Sequence, residues 1–410
     1  MTPRNFLFAA VSSGSAVLMA LVYFVAARYL GVEGFATFSY ALAVSMIGEA
    51  LIDMGVHQLT IREVAQVPES RFALLRQQLG LKAISGAVVF AIGLVGTLFI
   101  TTDTTDLTVV ALMLVASLLR SWLLSVRGGL IGIEAFGTDA ALVAGDRVLL
   151  TVAGTAALLL GADVVGLAVV FVATRVVTVA AALALTRQDL GVPTWRYEPD
   201  AWLALHRRAL PLGAFMIVLT AYNYIDTVML RAMAPEDETA LYNAAYRLYE
   251  GTTYAAAVLW SVLTPRLSAL WTTNRAGHRR LAVRGLGAGV ALAVPIAVAL
   301  WLGAGRWILW TSGAEYVTGE FTLRILSAGL PLVFAIWVVH AIATSSSHDH
   351  VLVRSTAIGL LANVGLNLWL IPQSGHEGAA LATVIGEALT LGLLLWGVRG
   401  VVSGTAEATA

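Results

Sequence analysis

The stretch IGEALIDMGVHQLTIREVA, residues 47–65, decides how the chain is read. It closes the second long apolar run of the sequence. Yet it sets Glu49 and Asp53 four residues apart, on one face of a helix, before an exit at Arg62 and Glu63. A charge near the centre of a bilayer costs about 2.5–3.5 kcal/mol on insertion scales. Carboxylates held there must be paired, face a wet cavity or bind an ion.

Outward from this stretch the chain is apolar almost everywhere. It has 410 residues, 59% hydrophobic and 12% charged, with a mean hydropathy of +0.83. A soluble domain is roughly 45–50% apolar and about 25% charged, so the composition is that of a polytopic membrane protein. Net charge is zero, and nothing points to nucleic acid. There is no cysteine, which excludes disulfides and thiolate chemistry. The first apolar run exceeds the roughly 7–15 residues of a cleaved signal core and reads as a retained span.

A spanning helix needs about 20 apolar residues. Twelve stretches qualify: 6–28, 36–59, 80–100, 107–127, 139–161, 163–185, 208–231, 239–264, 282–304, 322–344, 352–372 and 378–400. They are too long for barrel strands, and helices satisfy every backbone group internally. The expected fold is therefore all-α. An N-terminal six-helix lobe covers 1–185 and a C-terminal one 208–400, with a linker at 186–207 and a tail at 401–410. With the N-terminus in the cytoplasm, seventeen of the 25 Lys and Arg fall on the inner side and four on the outer. That bias places both termini in the cytoplasm of a cell-membrane protein. Across the end of the linker, PDAWLALHRRAL (199–210) reads as a short interfacial helix starting at a proline.

The halves echo each other. Spans 1 and 7 each end near an arginine, followed by a short acidic loop and an aromatic opening of the next span. At an offset of 212, Gly166 matches Gly378 and Arg175 falls opposite Glu387. Six spans per half gives both halves the same orientation, a parallel repeat of the kind transporters use with a site between halves.

Four segments carry a family resemblance: RYLGVEGFATFSYALA (28–43), LIDMGVHQLTIREVA (51–65), YNYIDTVMLRAMAPEDETALYNAAYRLYEG (222–251) and NVGLNLWLIPQSGHEGAALATVIGEAL (363–389). In this order they resemble the polysaccharide-biosynthesis flippases of the multidrug/oligosaccharidyl-lipid/polysaccharide exporter superfamily. The resemblance implies two six-helix lobes around a central cavity that opens alternately to each side. It implies as substrate a polyprenyl-pyrophosphate oligosaccharide moved from the inner to the outer leaflet. The branch that moves the peptidoglycan precursor usually carries two further spans. Its cavity arginines find no match here and are not transferred.

The charges inside the spans are the candidate site. Arg120 and Arg175 lie on spans with no carboxylate expected at similar depth, and a guanidinium fork suits a pyrophosphate. Substrate contact and pairing with Glu49 or Asp53 are both open to them. For Glu49 and Asp53 three readings stand: salt-bridge partners, a site coupling H+ or Na+, or, for Asp53, mere termination of the helix at "DMG". Arg247 and Glu250 can pair at i,i+3, with Asp226 and Asn223 extending that network, or Arg247 can contact substrate. Asn363 and Asn367, one turn apart, suit interhelical hydrogen bonds. Glu387 lacks a same-helix partner and is a second coupling candidate. Asp146 and Arg147 read as inner-end residues with a snorkelling arginine, and His340 as a packing histidine.

Other motifs carry less. His348-Asp349-His350 reads as a solvated loop, and no Gly-Lys phosphate loop is present. Trp195, Trp202, Trp271, Trp307 and Trp310 read as interface anchors. The expected partners are the bilayer, the lipid-linked oligosaccharide, and the polymerase and glycosyltransferases that handle it, around a monomer with no cofactor beyond a coupling ion. The alternatives are a cation-coupled drug antiporter of the same superfamily and a membrane-embedded glycosyltransferase or ligase. Short outer loops disfavour the last.

Overall fold

A computed structural model describes residues 16–191 and 198–403. It is helical, with no strand among the described residues. The start of the first expected span, Trp195 in the linker, and most of the tail lie outside the described residues. The helices are α1 (Ala16–Asp53), α2 (Val56–Gln66), α3 (Arg71–Leu98), α4 (Thr104–Gly132), α5 (Phe136–Leu159), α6 (Val164–Leu185), α7 (Arg187–Leu190), α8 (Pro199–Met233), α9 (Glu236–Thr273), α10 (Arg275–Thr311), α11 (Glu320–Ser345), α12 (Asp349–Gly397) and α13 (Arg399–Ser403). Nine helical stretches among the described residues are long and apolar enough to cross a membrane. The exposed face of α3 shows why they need one. Ile84, Val88, Ile92, Val95 and Phe99 form a continuous exposed apolar stripe, which water would not tolerate at this length.

The two longest stretches are hairpins. In α1, Gly31 takes φ 68°, ψ 178°, a conformation open to glycine because it has no Cβ. The chain turns back there. The rings of Tyr23 and Phe38 come within 6.0 Å, where an unbroken helix would hold them about 22 Å apart. In α12 the break is at Ser374 and Gly375. Beyond it Gly378 returns against the Leu370 carbonyl so closely that a Cβ has no room.

Two compact units divide the chain, Met1–Tyr224 and Ile225–Ala410. The first thus takes in the beginning of α8, which the sequence reading divided between linker and second lobe. In the first unit α4 packs against α1, α2, α3 and α6. One apolar cluster joins Val56, Leu59 and Val64 of α2 to Leu74 and Leu81 of α3 and to Trp202, Leu205 and Ala209 of α8. In the second unit α11 is central, packed against α9, α10 and α12.

Two sequence expectations change here. The second span stops at Asp53, not at residue 59, because Met54 (φ 43°) and Gly55 (φ 84°) turn left-handed. The amphipathic α2 then starts afresh, burying Val56, Leu59, Thr60 and Val64. The segment 199–210 is not a separate interfacial helix. It is the first third of the continuous α8, and Trp202 is buried, filling the space above Gly80. Its apolar face found protein instead of lipid.

Candidate functional site

In the first unit three pairs stand out among the embedded charges. Arg120 of α4 places Nη1 3.3 Å from Glu49 Oε2 on α1 and 3.5 Å from Met46 Sδ. The Arg120 side chain stays 35% exposed while that of Glu49 is 11% exposed. Its fork therefore has donors to spare. Arg175 of α6 is buried and pairs with Asp146 of α5. This corrects two expectations: Arg175 has a carboxylate at its own depth, and Asp146 is a buried partner, not an inner-end residue. The local reason is helix neighbourhood, since α5 packs on α6.

Asp53 ends α1 and does more than terminate it. Its carboxylate accepts from the His57 backbone N–H at 3.3 Å and from Lys82 Nζ at 2.7 Å. Lys82 also donates to the Ser121 carbonyl at 2.8 Å, and it is fully buried. Sequence reasoning counted Lys82 with the inner-side charges and missed it. A signal was there: it is the sole lysine of the chain.

In the second unit the polar groups form two clusters. Arg247 pairs with Glu250 at 2.6 Å, at i,i+3 as expected, and donates to Asn243 Oδ1 at 3.4 Å. Asp226 does not join that pair. It accepts from Asn367 Nδ2 at 2.5 Å, Thr383 Oγ1 at 2.6 Å and the Tyr242 hydroxyl at 2.8 Å. Asn367 also donates to Asn363 Oδ1 at 3.1 Å, and both asparagines are fully buried, tying α8 to α12. Asn223 is exposed. Thr383 and Tyr242, which sequence reasoning overlooked, are ordinary residues in strings of their kind and gave no signal.

Glu387, one turn beyond Thr383, accepts from the Tyr249 hydroxyl at 2.6 Å. Its other oxygen lies against the backbone of Gly329 and has no hydrogen-bond partner among the described residues. Tyr246 stacks on Tyr242 with ring centroids 5.5 Å apart and lies 5.9 Å from Tyr249. Three tyrosines thus line the space between the two carboxylates. Neither Asp226 nor Glu387 pairs with Arg or Lys among the described residues. His340 is buried with its ring against Trp337. No group of three or more His, Asp and Glu suited to a metal occurs among the described residues.

Residues 3–271 match the family described as "Polysaccharide biosynthesis protein". Over 194 residues the chain is 29% identical to the probable multidrug resistance protein NorM of Chromobacterium violaceum, a match that covers 43% of this chain and 40% of that protein. The chain thus spans about two fifths of that relative's length. Among solved structures, an inward-facing multidrug resistance MATE family transporter of the MOP superfamily superposes with a TM-score of 0.80 at 16% identity, over 97% of this chain and 96% of that one. The lipid II flippase MurJ, in an inward closed conformation, gives 0.77 at 13% identity over 96% and 87%. At such identities the likeness is one of fold. With the family match over most of the chain, it has one consequence: the chain belongs to the polysaccharide biosynthesis protein family and shares its fold with these membrane transporters.

Proposed function

We propose that the protein flips a lipid-linked oligosaccharide, a sugar on polyprenyl pyrophosphate, from the cytoplasmic to the outer leaflet for surface polysaccharide assembly. It works by alternating access in the cell membrane, as a monomer with both termini cytoplasmic. It receives substrate from glycosyltransferases and delivers it to a polymerase. The observation that carries this reading is Arg120. It is an embedded guanidinium held by one carboxylate and open over a third of its side chain. A pyrophosphate offers that fork bidentate acceptors and can displace Glu49, which then re-pairs once the headgroup leaves. Arg175 is engaged by a buried carboxylate on the neighbouring helix, and Arg247 by Glu250 and Asn243 of its own helix.

The test separates these roles. Arg120→Ala should lower glycan export about 10- to 150-fold, the worth of one hydrogen bond to a charged group at about 1.5–3 kcal/mol, with the protein still folded. Arg175→Ala should instead destabilise the protein by about 3–5 kcal/mol, because it strands Asp146 in the interior. Undiminished export by folded Arg120→Ala protein overturns the assignment.

A second reading rests on the likeness to NorM: a cation-coupled drug antiporter. It predicts that overexpression in an efflux-deficient host raises drug resistance, and that Arg120→Ala leaves that resistance intact.

In either reading the coupling ion, H+ or Na+, belongs with the carboxylates that no cation neutralises. Glu49, Asp53 and Glu250 are paired. In the second unit Asp226 and Glu387 are the buried seats without an Arg or Lys partner among the described residues.

A further inference from the structure

The two units treat their peripheral arginines differently. In the first unit three are neutralised: Arg76 pairs with Glu198 at 3.2 Å, Arg208 with Glu63 at 2.9 Å and Arg127 with Asp139 at 2.7 Å. In the second unit no Asp or Glu occurs from residue 251 to residue 305, yet Arg266, Arg275, Arg279, Arg280 and Arg284 fall there. All five are exposed, as is Arg354 at the start of α12. None of the six pairs with a carboxylate among the described residues. Topology needs arginines on one side; it does not require them to be left without counter-charges.

Their placement matters as much as their number. Arg280 and Arg284 continue, one turn apart, into Gly287, Ala291, Val294 and Val298, all exposed along one face of α10. That stripe is apolar and exposed, and against lipid its arginine end stands where the acyl region meets the headgroups. Arg354 heads a similar stripe on α12 through Ile358 and Leu361. Trp271 closes the end of α9. The Arg275 guanidinium lies 3.2 Å over its ring, His278 is 5.1 Å away and His348 6.5 Å away. A tryptophan carrying a stacked arginine has an apolar body and a cationic cap, as a residue at the membrane interface requires. The exposed Asp349 is the one acidic group at the head of α12.

We infer that this arginine surface, spanning the end of α9 and the starts of α10 and α12, is a docking site for anionic phospholipid of the cytoplasmic leaflet. The charge sign, the lack of internal counter-charges and the apolar stripes below the arginines together select a lipid with a negative headgroup and acyl chains, over a soluble anion. The inference goes beyond the flippase reading and stands whichever substrate the protein carries.

The test titrates the full-length protein in neutral detergent with phosphatidylglycerol, with phosphatidylcholine as reference, and counts bound lipid by native mass spectrometry. Phosphatidylglycerol should bind the more tightly, and binding should weaken with added salt as charges are screened. The triple variant R279Q/R280Q/R284Q should lose about 100-fold in phosphatidylglycerol affinity, and R284Q alone about five-fold, at the strength of one basic residue on an anionic surface. The control triple R62Q/R187Q/R207Q removes three exposed arginines of the first unit and should stay within about two-fold, because it leaves all of the proposed contacts in place. Unchanged affinity in R284Q and in the triple overturns the proposal, and so does an equal loss in the control. Displacement of the lipid by equimolar inorganic phosphate also overturns it, because the site would then read the phosphate alone.

Discussion

Lys82 is one lysine against 24 arginines, and its site explains the exception. The pocket is closed and offers two acceptors, the Asp53 carboxylate and the Ser121 carbonyl. An ammonium brings three donors and a compact charge; a guanidinium brings five in a fixed fork and would leave several unmet. Arg120 is the converse case, partly open and able to use its extra donors on a ligand. Lys82→Ala should therefore destabilise the protein by about 3–5 kcal/mol, because it leaves Asp53 charged and unpaired inside the helix bundle. Denaturant unfolding in detergent measures this, and the double variant Asp53→Asn/Lys82→Met should recover much of the loss. A Lys82→Ala protein as stable as the parent removes the buried pair from the account. Lys82→Arg should also destabilise, a result no argument from charge alone anticipates.

Among the elements, α8 and the break between α1 and α2 depend on each other. Gly55 and Gly213 meet backbone to backbone, so that a Cβ on either would enter the other segment's main chain. Gly55 also needs its left-handed φ, whereas Gly213 needs only the space, which makes Gly213→Ala the cleaner probe of the contact. It should cost about 1–3 kcal/mol or more, as overpacking does when neither side can move. Gly96→Ala, in a helix with nothing within reach of the new methyl, should instead stabilise by about 0.4–1 kcal/mol. Thermal unfolding of the two variants measures both, and equal effects would sink the close-contact argument. The same elements mark what a sequence can reveal. The apolar runs were legible because lipid imposes length and composition on each one separately. The continuity of α8 was not, because an amphipathic segment reads alike whether it covers lipid or, as Trp202 does, a protein neighbour. The i,i+3 pair Arg247–Glu250 was legible from spacing. Arg175–Asp146 was not, because a partner on another helix is chosen by packing, which spacing along one chain does not encode.

For the whole molecule the open matter is what drives the cycle, and the distribution of buried charge narrows it. In the proposed flippase cycle the headgroup pyrophosphate is multiply negative, and moving it outward works with an inside-negative potential. The proposed driving ion then serves to reset the protein or to work against accumulated product. One monovalent cation crossing about 100 mV is worth about 2.3 kcal/mol, or close to 50-fold in product ratio. A single carboxylate seat is enough to deliver that, provided no fixed cation already neutralises it. Asp226, ringed by Asn367, Thr383 and Tyr242, and Glu387, held on one oxygen by Tyr249, meet that condition; Glu49 and Asp53 do not. In proteoliposomes carrying a reducible lipid-linked sugar, an imposed Na+ or H+ gradient should accelerate flipping by the parent protein. Asp226→Asn should lose at least about ten-fold of that acceleration, consistent with removing an ion's only charged ligand at a cost above 1.4 kcal/mol. Glu387→Gln should lose it only if the ion is a proton, since a proton needs a group that titrates, whereas Na+ can remain on Asp226. Glu49→Gln should keep gradient dependence while slowing flipping, because it loosens Arg120 without touching the seat. If Asp226→Asn and Glu387→Gln both respond to the gradients as the parent does, the coupling ion does not use the second unit, and the paired carboxylates of the first must be reconsidered.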